Sequence, residues 1–599
     1  MPAPSHAAAF VRKTRWDIVG REGDDRPLLD RVLAARGLSE PEAASAFLDA
    51  TLLDLHDPML LPGVAEAVDA TLRAVADGRP IVIYGDYDVD GITATAVLYR
   101  MLTHLEPAAD IRAYVPHRLD EGYGLNARAL EELAADGAGL VISVDCGVTA
   151  IEQAAVARRL GLELVITDHH NPDADGQLPD AAAVVHPGLP GSAYPFDGLC
   201  GAGVAYKLAW ALAVRHADRP DGKAAAASRA VLLDLLAFAA LGTIADMVPL
   251  QDENRVIARY GLGRVKHSPF EGLSALVDAS GLAGEKIDAD DVGFRLGPRL
   301  NACGRMGHAA DAVELFTTAT GDRARQIAAQ LHEQNTQRQR TERRITEQAA
   351  AMAAEAGFLD DSRSAIVLAH DEWHPGVVGI VCSRLVERFA RPTVLLCREA
   401  GVLKGSGRSI TGFNLHAALA ECRGCLRTFG GHDAAAGLSL TEDNLAAFTE
   451  QFLAAAGQRL GPDDLVHRIR IDTRAAPEEL TTQAVTMLGR LKPFGRGNPR
   501  VRVLVRSAAL ARPPETFGSH AKHLAIALES PGGPPLRCIA WNQGGRRDEL
   551  RRGQRIDAVL TPQISSYSGR VEPVLDDWSA VAADDYSSST GKLATPPVG

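Results

Sequence analysis

Three aspartates fall within five residues of the segment YGDYDVDG: Asp86, Asp88 and Asp90, directly after the apolar run Ile81–Tyr84. Carboxylates this close repel one another, and holding them at the end of a buried strand requires a cation to offset the repulsion. A solvated loop is the commoner origin of an acidic triplet. Here the strand before it, and Gly91 permitting a tight turn into a helix, favour a cation. Asp145 closes the run ISVDCG, Asp168, His169 and His170 close LELVITDHH, and Asp246 closes LGTIAD. Asp145 alone reads first as a helix N-cap, but its recurrence in the same architectural position points to metal ligation. Adjacent histidines point apart, so one can bind metal while the other meets substrate, and Asp168 can orient one of them. Oxygen-rich ligands with one or two imidazoles suit Mn2+ or Mg2+ better than zinc. The constellation predicts two divalent ions sharing a carboxylate, an arrangement that clamps the attacking and leaving oxygens of a phosphoryl transfer.

These residues need strand ends to hold them. From about Pro62 to Pro249 the sequence alternates short apolar runs (PIVIYGD, AGLVISVDCG, LELVITDHH) with alanine-rich helical stretches. That pattern predicts a parallel sheet covered by helices on both faces, with ligands at the carboxyl ends of its strands. Residues 322–357 lack proline and internal glycine and predict one long, solvent-exposed helix. Its Arg323, Arg325, Arg338, Arg340, Arg343 and Arg344, interleaved with Glu333, Glu342 and Glu347, read as a solvated face of i,i+4 pairs. A second α/β region begins at SAIVLAHDEWHPGVVG, and beyond about Asp464 short alternating runs such as RVLVRSAALA and IDAVLTPQI predict a small β-barrel.

GDYDVDG, SVDCG, TDHH and GTIADMVPL, in that order, resemble the metal-binding motifs of the DHH phosphoesterases. The resemblance implies that Asp88, Asp90, Asp145, His169 and Asp246 ligate metal directly and that His170 faces the scissile phosphate. Some relatives carry a histidine ligand just upstream, where Tyr84 and Gly85 stand here, so Asp86 either replaces it or lies behind the ligands. VPHRLDEGYGLN and LGPRLNACGRM extend the likeness and imply that Arg118, Arg299, Asn301 and Arg305 lie near substrate phosphate, a role that suits the guanidinium fork. HPGVVGIVCSRL, LKGSGRSITGFNL and FGGHDAAAGLSL resemble the DHHA1 domain. There Gly405, Gly407, Gly430 and Gly431 would admit a phosphate to backbone amides, while Ser406, Arg408 and His432 add donors. PFGRGNP at Pro493–Pro499 resembles the junction into an OB-fold, a module that binds single strands through a cationic groove and stacking aromatics. His520, Lys522, His523, Arg546 and Arg547 would supply the cations; Phe517, Trp541, Tyr567 and Trp578 read as core.

The resulting expectation is an α/β multidomain chain. An N-terminal segment (1–61) precedes a parallel-sheet DHH catalytic domain (62–265) and its helical extension (266–321). A connector helix (322–357), a DHHA1 domain (358–462), an OB-fold barrel (463–583) and a disordered tail (584–599) follow. The family implies a single-stranded-DNA-specific 5′→3′ exonuclease that releases 5′-mononucleotides in recombination and repair, beside a helicase and a single-strand-binding protein. A phosphodiesterase for short oligonucleotides or cyclic dinucleotides, and a non-catalytic DNA-binding scaffold, are the rivals. The barrel argues against the first and the complete set of motif carboxylates against the second.

Composition bounds these readings. At 599 residues the chain exceeds one hydrophobic core. A net charge of −13 excludes indiscriminate coating of nucleic acid and confines any phosphate site to a local cationic groove. Eight scattered cysteines are too sparse for a disulfide scaffold, Cys422 and Cys425 lack zinc-site partners, and no uninterrupted apolar stretch is long enough to span a bilayer, so a cytoplasmic protein without zinc is expected.

Overall fold

Ile81 and Ile83 belong to one hydrophobic core and Val82 and Tyr84 to another, and all four side chains are buried. This is the two-period alternation of a strand covered on both faces, each such aliphatic side chain contributing about 1.5–3 kcal/mol by burial. In the computed structural model, which describes residues 14–117, 121–172, 175–219, 223, 225–399 and 401–581, Ile81–Gly85 sits inside a five-stranded parallel sheet. The order is Ile111–Tyr114, Ile81–Gly85, Leu140–Val144, Glu163–Thr167, Ala183–Val185, with Ile83 opposite Ala113 on one side and Ile142 on the other. The chain leaves Ile81–Gly85 toward one neighbour and returns to the other, so a topological switch point lies at its carboxyl end.

One face of the sheet is covered by the helix Val89–Leu105, packed against Gly201–Ala217 and Ala225–Ala245. Ala225–Ala245 is long and apolar enough to span a bilayer by length and composition alone, with a mean hydropathy of 1.6 over an 18-residue window, but it is not an uninterrupted apolar stretch. Arg229 and Asp234 interrupt it, and its Leu235–Leu241 stretch is buried in the core beside the sheet, so it is read as a core helix.

The long helix forms over Gly321–Glu355, but it is not solvent-exposed throughout. Ala324, Ile327, Ala328 and Leu331 join the core of the parallel-sheet domain, while Ile345, Ala349, Ala350 and Ala353 join that of the next. Between them Arg338 and Glu342, both buried, pair at 2.7 Å, and Glu342 also receives Arg384 at 2.9 Å. The stripe escaped the sequence reading because alanines and a paired arginine and glutamate occupy positions where leucines would have announced it.

The next sheet runs Thr428–Gly431, Ala435–Thr441, Val402–Arg408, Thr393–Glu399, Ile366–His370; only the last pair is parallel. Cys422 and Cys425 are buried in its core. All of this, with Gly495–Gly497, forms one compact unit. A second comprises Arg15–Ala50, Arg468–Phe494 and the chain from Asn498. Its seven-stranded sheet runs Thr473–Arg474, Val503–Ala509, Arg555–Thr561, Val574–Ala580, Leu536–Ala540, His523–Leu528, Glu515–Phe517. Leu28, Leu29, Val32 and Leu33 of the helix Leu28–Ala35 share its core. Arg118 and the tail expected over 584–599 lie outside the described residues.

Candidate active site

The switch point brings the acidic strand ends together. Gly91 lets the chain turn tightly after the first strand, since a Cβ there would lie 2.5 Å from the Asp86 carbonyl oxygen. Asp88 caps the helix Val89–Leu105, its Oδ1 accepting from the N–H of Asp90 at 2.8 Å and of Gly91 at 3.2 Å. Asp145 takes φ 64°, a left-handed conformation that costs a non-glycine residue and is held at sites where function requires it.

His169 Nε2 lies 3.2 Å from Asp145 Oδ1, 3.6 Å from Asp246 Oδ2 and 3.8 Å from Asp90 Oδ2. Three sets of ligand atoms cluster at metal-binding distance: Asp145 with His169 and His170; Asp90 with His169 and Asp246; Asp86 with Asp88 and Asp145. Asp145 Oδ1 and His169 Nε2 are buried without a hydrogen-bond partner among the described residues. Burial and the charges of Asp90 and Asp88 push Asp246 up to about 8, and burial with the neighbouring aspartates raises Asp145 and Asp88 as well. Such carboxylates retain protons unless a cation replaces those protons. The donor set therefore fits hard divalent ions.

Helix starts complete the acidic basin. The N–H groups of Gly201 and Ala202, opening the helix Gly201–Ala217, donate to Asp90 Oδ2 at 2.6 Å and Oδ1 at 2.9 Å. A Cβ on Gly201 would fall 2.5 Å from Asp145 Oδ1, and one on Gly242 would fall 2.4 Å from Asp90 Oδ1. Gly201 did not figure in the sequence reading, although the small-residue start CGAGVA carried the signal, and Gly242 stood there only as the first residue of GTIADMVPL.

Asp168 is engaged elsewhere. It accepts from the N–H of Val148 (2.9 Å), His169 (2.7 Å) and His170 (3.1 Å), and its Oδ1 lies 2.8 Å from His170 Nδ1. Burial alone would raise Asp168, but these bonds and the His170 charge outweigh it and hold the carboxyl at about 2. Burial likewise works against His170⁺, yet Asp168 lifts that imidazole to about 9. Tyr123, another residue the sequence reading did not single out, places its hydroxyl 3.2 Å from His170 Nδ1 and 3.3 Å from the Asp145 carbonyl.

The second half of the site surrounds the start of the helix Pro375–Phe389. Arg305 Nη1 donates to the Gly376 carbonyl at 2.9 Å. A Cβ on Gly379 would lie 3.1 Å from Arg408 Nη2 and 3.3 Å from Ser406 Oγ, so Arg305, Ser406 and Arg408 gather at one helix N-terminus. Asn301 lies one turn before Arg305 on the helix Gly297–Met306. Gly430 shares a cross-strand row with Gly437 and Ser406, and Gly431 and His432 follow on the edge strand and its turn, where the His432 N–H donates to the Ala435 carbonyl. Arg299 is held elsewhere, by His332 at 3.1 Å and the Arg295 carbonyl. In the second unit Trp578 is buried beneath Arg546, as a core residue would be, but Trp541 and Tyr567 are exposed.

The DHH family model (N-terminal domain) matches residues 80–242, the DHHA1 domain 362–458 and the RecJ OB domain 471–576. The single-stranded-DNA-specific exonuclease RecJ of Bacillus subtilis is 38% identical over 578 residues, covering 94% of this chain and 70% of that protein. Its Escherichia coli namesake is 34% identical over 530 residues, covering 86% and 89%. The crystal structure of RecJ in complex with Mn2+ from Thermus thermophilus superposes with a TM-score of 0.78 at 30% identity, covering 95% of this chain and 80% of that one. Domain order, extent of identity and three-dimensional match agree, and the chain belongs to the RecJ family of the DHH superfamily.

Proposed function

We propose that this protein is a metal-dependent exonuclease specific for single-stranded DNA, which degrades the strand from its 5′ end and releases 5′-mononucleotides. The observation that carries this reading is the pairing of an acidic, histidine-capped basin with a cationic helix start in the same compact unit. Asp86, Asp88, Asp90, Asp145, His169 and Asp246 would hold two Mn2+ or Mg2+ ions. Such ions, when bound, polarise the phosphodiester and ease deprotonation of an attacking water.

The chain's own residues do the rest. Asp168 fixes the ring of His170 and keeps it cationic, so that it donates a hydrogen bond to the phosphate under attack. Arg305, Ser406 and Arg408, with the amides opening the helix Pro375–Phe389, hold a terminal phosphate one step from the bond to be cut. Binding of that terminal group sets the polarity. Arg118 and the glycines Gly430 and Gly431 are assigned to the same phosphate contacts. The OB domain contributes single-strand binding, and the protein acts as a soluble enzyme beside a helicase and a single-strand-binding protein.

The test is Mn2+-dependent degradation of a single-stranded oligonucleotide labelled at either end, beside its duplex and an Asp145→Ala variant. Immediate release of the 5′ label as mononucleotide, from single strand only and with Asp145 intact, is expected. Cleavage confined to dinucleotides would replace this reading with a short-oligonucleotide phosphodiesterase, and binding without cleavage would replace it with a scaffold.

A further inference from the structure

Asp246 is followed by Met247–Gln251, and that stretch is gripped from two sides. Within the core, Asn254, fully buried, donates from Nδ2 to the carbonyls of Pro249 (3.0 Å) and Gly198. At the surface, the Gly495–Gly497 segment of PFGRGNP is docked on it. The Leu250 N–H donates to the Arg496 carbonyl at 2.8 Å, and Gln251 Nε2 donates to the Gly497 carbonyl at 3.2 Å. Gly497 takes φ 74°, and a Cβ there would stand 3.2 Å from Pro249 Cβ, so the close approach favours glycine. The backbone of Arg496 and of Gly497 after it is thus fixed to the residues that leave Asp246.

Arg496 itself is exposed, and its Nη1 stands 3.5 Å from the carbonyl of Met247, the residue after Asp246. Its charge reaches the Asp246 carboxylate. Yet Arg496 forms no ion pair among the described residues, so its guanidinium donors are uncommitted to any carboxylate beside the acidic basin. An arginine held at the rim of a metal-binding basin, but paired with none of its carboxylates, is suited to an anion brought by the substrate.

We propose that Arg496 contacts a phosphodiester of the single strand next to the scissile bond, on the Asp246 side of the metal centre. This rests on the exonuclease reading. The alternative role for such a cation is a permanent counter-charge to the carboxylates, and the two roles have opposite signatures. A phosphate contact contributes to strand binding and to its salt dependence. A counter-charge competes with the metals, so removing it tightens metal binding.

The experiment compares wild type, Arg496→Ala and Arg496→Lys on a single-stranded oligonucleotide at several salt concentrations, with Mn2+ binding followed separately by electron paramagnetic resonance. Arg496→Ala is expected to raise KM roughly tenfold, and to flatten the slope of log(kcat/KM) against log[salt] by about 0.7, the increment for one phosphate contact on a single strand. Arg496→Lys should restore the slope and only part of the KM. Unchanged KM and slope, with or without tighter Mn2+ binding, would overturn the proposal while leaving the exonuclease reading intact. A wild-type protein that does not degrade single strands would remove the reading beneath it.

Discussion

Asp168 and His170 show how one residue's state is set by another. Asp168, held at about 2, gives stability that is present above the unfolded-state value of about 3.9 and lost as pH falls toward 2. His170, lifted to about 9, gives stability present below about 6.5 and lost as pH rises through 9. In chelator-treated protein, the stability difference between wild type and Asp168→Asn is therefore expected to be largest between about pH 4 and 6.5 and to shrink on either side. Denaturant titrations across pH measure it, and a flat difference would refute the pairing. The same variant should lower kcat by roughly 10–100-fold, because a neutral amide replaces the carboxylate that fixes the His170 ring and keeps it cationic. The aspartates and histidines of this site were legible because each ends an apolar run, which is a local property. Arg299 was not: its partner His332 lies 33 positions away, on a helix whose packing no local pattern reveals. Arg496 and Tyr123 escaped for the same reason.

At the scale of elements, three helices crowd the acidic basin, and glycine makes the approach possible at two of them. Gly242→Ala would push a methyl toward Asp90 Oδ1, where the ideal separation is 2.4 Å. Overpacking of this kind costs about 1–3 kcal/mol, and it should also displace Asp90. Thermal unfolding and Mn2+ titration are expected to show both losses, whereas unimpaired Mn2+ affinity would mean that Asp90 lies outside the ligand set. The parallel sheet was readable because two-sided burial writes continuous apolar strands such as IVIY and LVISV. The buried stripe of the long helix was not, since Asn335, Arg338 and Glu342 occupy it and become compatible with burial only through one another and Arg384.

Across the whole molecule, the two compact units have separate hydrophobic cores, and the acidic basin belongs to one of them. Calorimetry should therefore resolve two unfolding transitions, only one of which responds to Mn2+. At a hundredfold excess over its dissociation constant the metal should add about 2.7 kcal/mol to that transition, and a chelator should remove it. Equal movement of both transitions would contradict the division.

The helix Gly321–Glu355 carries a last consequence, one of arithmetic. Its first half is rooted in one domain and its second in another. Each residue inserted between the two roots would carry the downstream domain forward by about 1.5 Å and rotate it by about 100°. Arg408 and Ser406 would then swing out of phase with the acidic basin. Seven inserted residues come within roughly 20° of restoring the phase, but at the cost of about 10 Å of added reach. Surface loops elsewhere lengthen at little cost, whereas this segment counts: its residue number is a dimension of the active site.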